Sequence, residues 1–241
     1  MFDAYGTLFD TQSVETTVEE AFPGWGSVIS HIWRMKQLEY SWLSTLMDRY
    51  EDFWSITQRS LDYTLRSLEL ACDRQTLEGV AAAYLDLKHF EDAPVCLDAL
   101  APYRRAILSN GSSAMLASLA ERSKLVRSLD HIISVDMNGA YKPSPRAYML
   151  VGDVLKLPPE RVAFVSSNGF DICGAKSFGF TVIRVARSPS GPSFVQAEKP
   201  QMDERRLFAL MRGQLETFDY PPDFTVQSLA EIPDLFERKV R

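Results

Sequence analysis

The amino-acid sequence predicts an α/β fold: a parallel, Rossmann-like sheet with helices on both faces and an inserted, all-helical cap. Two observations lead to this fold. After residue 90, short apolar runs rich in β-branched residues alternate with helical stretches, which is typical of parallel strands joined by covering helices. Before it, residues 12–90 have helical periodicity and almost no strand signal. We therefore predict a catalytic core formed by residues 1–11 and 91–241 and a cap formed by residues 12–90.

The predicted cap is a set of helices. One proline and two glycines interrupt a first short helix, and apolar residues at helical spacing then predict a long helix from about Ser27 to Arg49. Further helices are predicted at about Asp52–Leu68 and Gln75–Leu87. Because this block directly follows a strand-turn motif, we interpret it as an insertion placed over a site.

The predicted core alternates strands and helices after a helix start at Asp92. Its strands are predicted at Arg105–Leu108, His131–Val135, Arg161–Val165, Phe180–Val185 and, more weakly, Asp223–Val226. Its helices are predicted at about Ser113–Arg122, Ser144–Leu157 and Asp171–Ser177. The segment 188–222 is rich in Pro, Ser and charge, which indicates a surface excursion with one helix near 204–215.

Composition excludes several classes of function. The chain has 241 residues, 46% of them hydrophobic, and a net charge of −6, so a broad nucleic-acid-binding face is not expected. The three cysteines are too few and too scattered for a disulfide framework or a zinc site, which indicates a reducing compartment. No run is long enough to span a membrane, and no signal peptide is recognisable. We expect a cytoplasmic protein that binds neither nucleic acid nor membrane.

Polar residues follow four of the predicted strands. Asp3 ends a short strand at the start of the chain, and Ser109–Gly111 ends the strand predicted at 105–108. Lys142 follows the strand predicted at 131–135 after a short excursion, and Ser166–Asp171 ends the strand predicted at 161–165. Ligands of such folds bind outside the carboxyl ends of the strands, so these groups should converge on one active site. Asp3 alone is open to two interpretations, since an Asp near Gly6 can cap a turn or serve as a nucleophile.

The residues at these strand ends form a recognisable combination with the cap residue Arg34. Asp3–Thr7, Ser109–Gly111, Lys142-Pro143 and Ser166–Asp171 resemble the motifs of the haloacid dehalogenase superfamily, and more narrowly those of the L-2-haloacid dehalogenases. The resemblance covers nearly the whole chain. It implies a metal-independent hydrolase without a cofactor, whose substrate is a short (S)-2-halo acid.

The resemblance also implies a role for each matching residue. Asp3 would attack C2 of the substrate, Lys142 would keep Asp3 ionised, and Arg34 would receive the halide. The remaining roles fall into five groups. Thr7 and Ser166 would position Asp3; Asn168 and Asp171 would orient Lys142 or the hydrolytic water; Ser109 would hold the substrate carboxylate; Asn110 and Phe170 would contact the halide; Tyr5, Leu38, Phe53 and Phe170 would form apolar walls.

Two alternatives remain open at this stage. A phosphatase of the same superfamily would carry a second Asp where this chain has Tyr5 and would bind magnesium, and the scarcity of carboxylates predicts no metal here. A catalytically idle relative that binds a partner is the other alternative. It is kept open because only two residues precede Asp3, which would shorten a central strand and lower stability.

Some of these residues have ordinary explanations. Arg34 alone would commonly be a solvated helix residue, and Asp171 could cap its helix. The tryptophans Trp33, Trp42 and Trp54 could bury a helix–helix interface between two copies, which predicts a homodimer.

Overall fold

The structure is a computed structural model that describes residues 1–187 and 217–237. Its strands form parallel pairs, β1 with β2, β3 with β4 and β4 with β5. Each predicted strand is found within two residues of its predicted ends, which confirms the α/β fold. The strands are β1 (Ala106–Ser109), β2 (His131–Ser134), β3 (Ala163–Ser166), β4 (Thr181–Val185) and β5 (Phe224–Val226).

The first residues of the chain lie between β1 and β3 and join the two halves of the sheet. Phe2 forms parallel bridges to Ile107 and to Val165. Its amide donates to the Ala106 carbonyl at 2.8 Å, and the Asp3 amide donates to the Val165 carbonyl at 2.9 Å. The sheet order is therefore β2, β1, the segment around Phe2, β3, β4, β5, with Asp3 at the carboxyl edge of its centre.

Both faces of the sheet are buried, because the strands are mostly continuous apolar runs and successive side chains of a strand point to opposite faces. In β1, Ile107 packs on one face and Leu108 on the other. In β3, Val165 and Phe164 divide in the same way. The covering helices of the core are α5 (Asp92–Ala99), α6 (Ser113–Arg122), α7 (Pro145–Leu155), α8 (Gly169–Phe178) and α9 (Ile232–Glu237).

Residues 12–90 are helical, as predicted. The helices are α1 (Glu15–Ala21), α2 (Gly26–Leu46), α3 (Phe53–Ser67) and α4 (Arg74–Ala81). The predicted helix to Leu87 ends earlier, because the chain tightens into a 3₁₀ turn at Ala82–Leu85. Asp52 and Asp73 cap α3 and α4 by accepting hydrogen bonds from amides of their first turns.

Two short backbone segments connect this helical part to the sheet. The Asp10 amide donates to the Lys88 carbonyl at 2.8 Å, and the Phe90 amide donates to the Leu8 carbonyl at 2.9 Å. The helix predicted near 204–215 lies outside the described residues. In the ranges 1–187 and 217–237, no helix is both long and apolar enough to cross a membrane.

Candidate active site

A pocket lies at the carboxyl edge of the sheet, between the strand ends and the helices α2 and α3. Residues from both parts of the chain line it, and they enclose about 260 Å³ of space that is partly open to solvent. The lining residues are Asp3, Tyr5, Arg34, Leu38, Phe53, Asn110, Lys142, Asn168 and Phe170.

The loop after the first strand turns sharply and places Asp3 at the bottom of this pocket. Gly6 has a φ of +83°, a conformation that favours glycine, and an added Cβ there would lie 3.3 Å from the Ser167 hydroxyl oxygen. The Ser167 hydroxyl donates to the Gly6 carbonyl at 2.7 Å, and the Ser167 amide donates to the Thr7 hydroxyl at 3.0 Å. The strand end after β3 therefore holds the loop that carries Asp3.

The Asp3 carboxylate accepts hydrogen bonds on both oxygens. Lys142 Nζ donates to Oδ1 at 2.9 Å, and Asn168 Nδ2 donates to Oδ2 at 2.7 Å. The Thr7 hydroxyl donates to the same Oδ2 at 3.3 Å. Three different strand ends thus fix the orientation of one carboxylate, which is 6% exposed.

Lys142 lies between two carboxylates in a fully buried position. Its Nζ is 2.9 Å from Asp3 Oδ1 and 2.8 Å from Asp171 Oδ2. Burial opposes the charged form, but Asp171 and Asp3 outweigh it and raise the pKa of Lys142 above its ordinary value. Burial is also the main cause that raises the pKa of Asp171 to about 6, against the lowering effect of Lys142.

The described residues form no group of three His, Cys, Asp or Glu that could hold a metal ion. The Lys142 ammonium fills the space between the carboxylates of Asp3 and Asp171.

Asp171 is held by two further hydroxyl groups. The Ser166 hydroxyl donates to Asp171 Oδ2 at 3.2 Å, and the Tyr148 hydroxyl donates to Oδ1 at 2.8 Å. Tyr148 is not recognisable as a site residue from the sequence, because a buried tyrosine on α7 has the pattern of a core residue. Its position six residues after Lys142 is the signal that the sequence offers.

Asn110 and Ser109 act on the backbone rather than on the two carboxylates. The Lys142 amide donates to Asn110 Oδ1 at 2.8 Å, so Asn110 fixes the loop that carries the lysine. Asn110 Nδ2 makes only a long contact of 3.4 Å with the Lys142 carbonyl and lines the pocket. Ser109 does not line the pocket; its buried hydroxyl accepts a hydrogen bond from the Gly111 amide at 3.1 Å.

Arg34 reaches the pocket from α2 and is only 6% exposed. No ion pair within the described part of the chain includes this arginine. Its Nη1 donates to Gln37 Oε1 at 3.3 Å, and its Cζ lies 5.8 Å from the centre of the Tyr5 ring. A buried charge without a carboxylate partner is costly, so the position favours a bound anion. Gln37 was also missed as a site residue, although it follows Arg34 by one helical turn.

Aromatic rings form the apolar walls of the pocket. Tyr5 packs against Phe53 with ring centres 5.6 Å apart, and Phe170 meets Trp42 edge to face at 5.4 Å. The prediction that Trp33 lies in an interface between two copies is wrong, whereas Trp42 and Trp54 are half-buried and their place in such an interface stays a prediction. Trp33 is fully buried within the chain, where its Nε1 donates to the Thr57 carbonyl, and Trp42 packs against Phe170, which lines the pocket.

The raised pKa of Asp171 predicts how activity depends on pH. Below about pH 6 Asp171 takes up a proton, and the ion pair with Lys142 is lost. We therefore expect kcat/KM to fall as the pH drops through about 6, measured at constant ionic strength. The residual activity of Asp171→Asn should lack this inflection, and an unchanged inflection in that variant would assign it to another group.

The raised pKa of Asp171 also affects stability. The native state binds this proton more tightly than the unfolded chain, so the contribution of Asp171 to the free energy of unfolding decreases as the pH rises from about 4 to 6.

The structure combines a parallel α/β sheet with a buried carboxylate, Asp3, that directly follows the central segment of the sheet and pairs with Lys142. The family model of haloacid dehalogenase-like hydrolases matches residues 1–179. The chain therefore belongs to the haloacid dehalogenase-like hydrolase family.

Individual relatives agree with this family. The (S)-2-haloacid dehalogenase of Xanthobacter autotrophicus is 48% identical over 98% of this chain and 93% of its own length. Haloacetate dehalogenase H-2 of Moraxella sp. is 42% identical over 77% of this chain and 84% of its own length. The structure of L-2-haloacid dehalogenase from X. autotrophicus with covalently bound chloropropionic acid is 47% identical, with a TM-score of 0.93 over 98% of this chain and 96% of that one.

Proposed function

We propose that this protein is an (S)-2-haloacid dehalogenase that removes halide from short 2-haloalkanoic acids by hydrolysis. One observation carries the proposal: the pocket contains the carboxylate of Asp3, held by Lys142, together with a buried arginine that has no carboxylate partner among the described residues. A nucleophilic carboxylate and an anion-binding cation in one small pocket are what this displacement needs. The names of the relatives at 48% and 42% identity support the same reaction.

The first step forms an ester. One oxygen of Asp3 attacks C2 of the substrate, the carbon–halogen bond breaks, and its electron pair leaves with the halide. Substrate and nucleophile are both anions, so the site must supply positive charge. Lys142 offsets the charge of Asp3, and the guanidinium of Arg34, which is always charged and weakly hydrated, receives the halide.

The second step restores the enzyme. Water attacks the carbonyl carbon of the Asp3 ester rather than C2, which releases a 2-hydroxy acid, and one proton is released to solvent for each halide. C2 is inverted once, in the first step, so an (S)-2-halo acid gives an (R)-2-hydroxy acid. Asn168, which donates to Asp3 at 2.7 Å, is suited to stabilise negative charge that develops on this carboxyl group during hydrolysis.

The remaining residues position these groups or shape the pocket. Asp171 holds Lys142 through an ion pair and is itself held by the hydroxyl groups of Ser166 and Tyr148. Thr7 holds Asp3 through a hydrogen bond. The walls exclude water from the reacting atoms, which strengthens each charge interaction. The Ser109 hydroxyl accepts a hydrogen bond from the Gly111 amide, so we propose that this strand end contacts the substrate carboxylate through its backbone. The proposed walls and halide contacts are Tyr5, Leu38, Phe53, Asn110 and Phe170.

Replacement of Arg34 tests the proposed halide site. Arg34→Ala should reduce kcat by about ten- to a hundredfold through the lost hydrogen bond to the leaving group, which is worth roughly 1.5–3 kcal/mol, and further because the pocket becomes exposed to water. Steady-state halide release measures the effect. Arg66→Ala, which removes an exposed arginine from the neighbouring helix α3, should leave kcat unchanged. Equal kcat in wild type and Arg34→Ala would refute this role.

The proposed activity is tested by halide release from (S)-2-chloropropionate in the presence of a chelator. We expect stoichiometric chloride and acid production that the chelator does not affect, and little or none from the (R) enantiomer. A folded sample that releases no chloride contradicts the proposal. Magnesium-dependent phosphate release from phosphate esters would then indicate a phosphatase, and inactivity in both assays would indicate a binding protein.

Three features of organisation belong to the same proposal. We propose that residues 12–90 act as a cap on a core of residues 1–11 and 91–241, supported by the helices α1–α4 and the paired connecting segments at 8–10 and 88–90. We also propose a homodimer, because the apolar side chains of Leu46 and Met47 at the end of α2 are exposed. We propose a cytoplasmic location because none of the three cysteines forms a disulfide bond.

A further inference from the structure

Gln37 is fully buried and accepts a hydrogen bond from the Arg34 guanidinium. It lies one helical turn after Arg34 on α2, and its Oε1 accepts from Arg34 Nη1 at 3.3 Å. Its Nε2 donates to the Thr57 hydroxyl of α3 at 3.0 Å. One amide therefore connects the pocket arginine to the neighbouring helix.

The orientation of the Gln37 amide is determined by the groups around it. The Thr57 hydroxyl has a single proton, and that proton is donated to the Phe53 carbonyl at 2.7 Å. Thr57 Oγ1 can then only accept toward Gln37, so the side that faces Thr57 must be the NH₂ group. The carbonyl oxygen of Gln37 consequently faces Arg34. The chain of donors and acceptors runs in one direction, from Arg34 through Gln37 and Thr57 to the backbone of α3.

The chemical type of this acceptor determines the charge of the pocket. A carboxylate at position 37 would form an ion pair with Arg34 and neutralise it before any ligand arrived. An amide oxygen accepts the same hydrogen bond without supplying negative charge. The positive charge of Arg34 therefore remains available to an anion in the pocket.

We propose that Gln37 is a positioning residue that fixes Arg34 through a neutral hydrogen bond and so preserves its charge for the departing halide. The inference rests on the proposed dehalogenase function. Gln37 does not line the pocket, and in this proposal it controls how tightly Arg34 binds the halide. Glutamate has nearly the same shape as glutamine, so Gln37→Glu changes the charge at this position and little else.

Bromide binding tests the proposal without any turnover. Bromide is titrated at constant ionic strength against gluconate, and the increase in unfolding temperature gives an apparent dissociation constant. We expect Gln37→Glu to weaken bromide binding by about ten- to a hundredfold, the range for a charged interaction of roughly 1.5–3 kcal/mol. Unchanged bromide affinity in this variant would overturn the proposal.

Thr57 supplies the matched pair of variants. Thr57→Ser keeps the hydroxyl that orients the amide and should keep wild-type bromide affinity, whereas Thr57→Val removes it and should weaken binding. Glu39→Gln, an exposed change on the same helix, controls for charge on α2 and should have no effect. Equal bromide affinity in Thr57→Ser and Thr57→Val would contradict the hydrogen-bond chain.

Kinetics provide the second readout. Gln37→Glu should lower kcat for chloride release more than it raises KM, and it should raise the inhibition constant of bromide. A wild-type protein that binds bromide but releases no halide would refute the dehalogenase function, and the bromide affinity of Gln37→Glu would then test only whether Gln37 preserves the charge of Arg34 for a bound anion. A wild-type protein that releases halide, with Gln37→Glu equally active, would refute only the role of Gln37.

Discussion

Asp3→Asn should abolish halide release, with kcat reduced by at least about 1,000-fold, because an amide oxygen is a poor nucleophile for carbon. The fold should survive, since asparagine has the same shape and Lys142 keeps its pair with Asp171. Initial rates of chloride release and the unfolding temperature together measure the two effects.

Asp10→Asn is the matched control for this variant. Asp10 belongs to the same segment, but its carboxylate accepts a hydrogen bond from the Gln12 amide at 2.9 Å and caps a 3₁₀ turn away from the pocket. We expect wild-type kcat in this variant. Substantial turnover by Asp3→Asn would assign the nucleophile to another group.

Lys142→Met should reduce both activity and stability. The lysine is the cation between Asp3 and Asp171, and its removal leaves two buried carboxylates facing each other. Breaking a buried ion pair in this way costs about 3–5 kcal/mol, and we expect a loss of that order in denaturant unfolding at neutral pH. Halide release should fall by at least about 1,000-fold, because Asp3 loses the charge that offsets its own.

A double variant separates the two effects of Lys142. Lys142→Met combined with Asp171→Asn removes one of the two uncompensated carboxylates, so part of the lost stability should return while activity stays absent. Recovery of activity in the double variant, or full stability in Lys142→Met alone, would contradict the role given to this lysine.

The sequence predicted the sheet and the strand-end residues well, for a physical reason. Buried parallel strands leave continuous apolar runs, and the polar residues that end them must meet at one edge of the sheet. Lys142 contacts both Asp3 and Asp171 at this edge. Arg34 could be assigned only through the family resemblance, since helical spacing alone leaves an arginine equally suited to solvent.

The errors in the sequence analysis share a different cause. Helical periodicity gives the apolar face of α2 but not the element that covers it, so Trp33 was assigned to a partner copy although Tyr84 and Thr57 of the same chain cover it. Tyr148 and Gln37 were missed because each acts through a hydrogen bond to a second residue of the site. Such roles depend on distances between helices and strands that a linear pattern does not contain.

The central claim is that the Asp3 carboxylate becomes an ester that water then opens at its carbonyl carbon. A single turnover in H₂¹⁸O, with enzyme in excess over (S)-2-chloropropionate, tests it directly by mass spectrometry of the peptide that contains Asp3. We predict that ¹⁸O enters the Asp3 carboxyl group and that the 2-hydroxy acid carries unlabelled oxygen at C2. An unlabelled Asp3 with ¹⁸O at C2 of the product would show that water attacks the substrate itself and would contradict the mechanism.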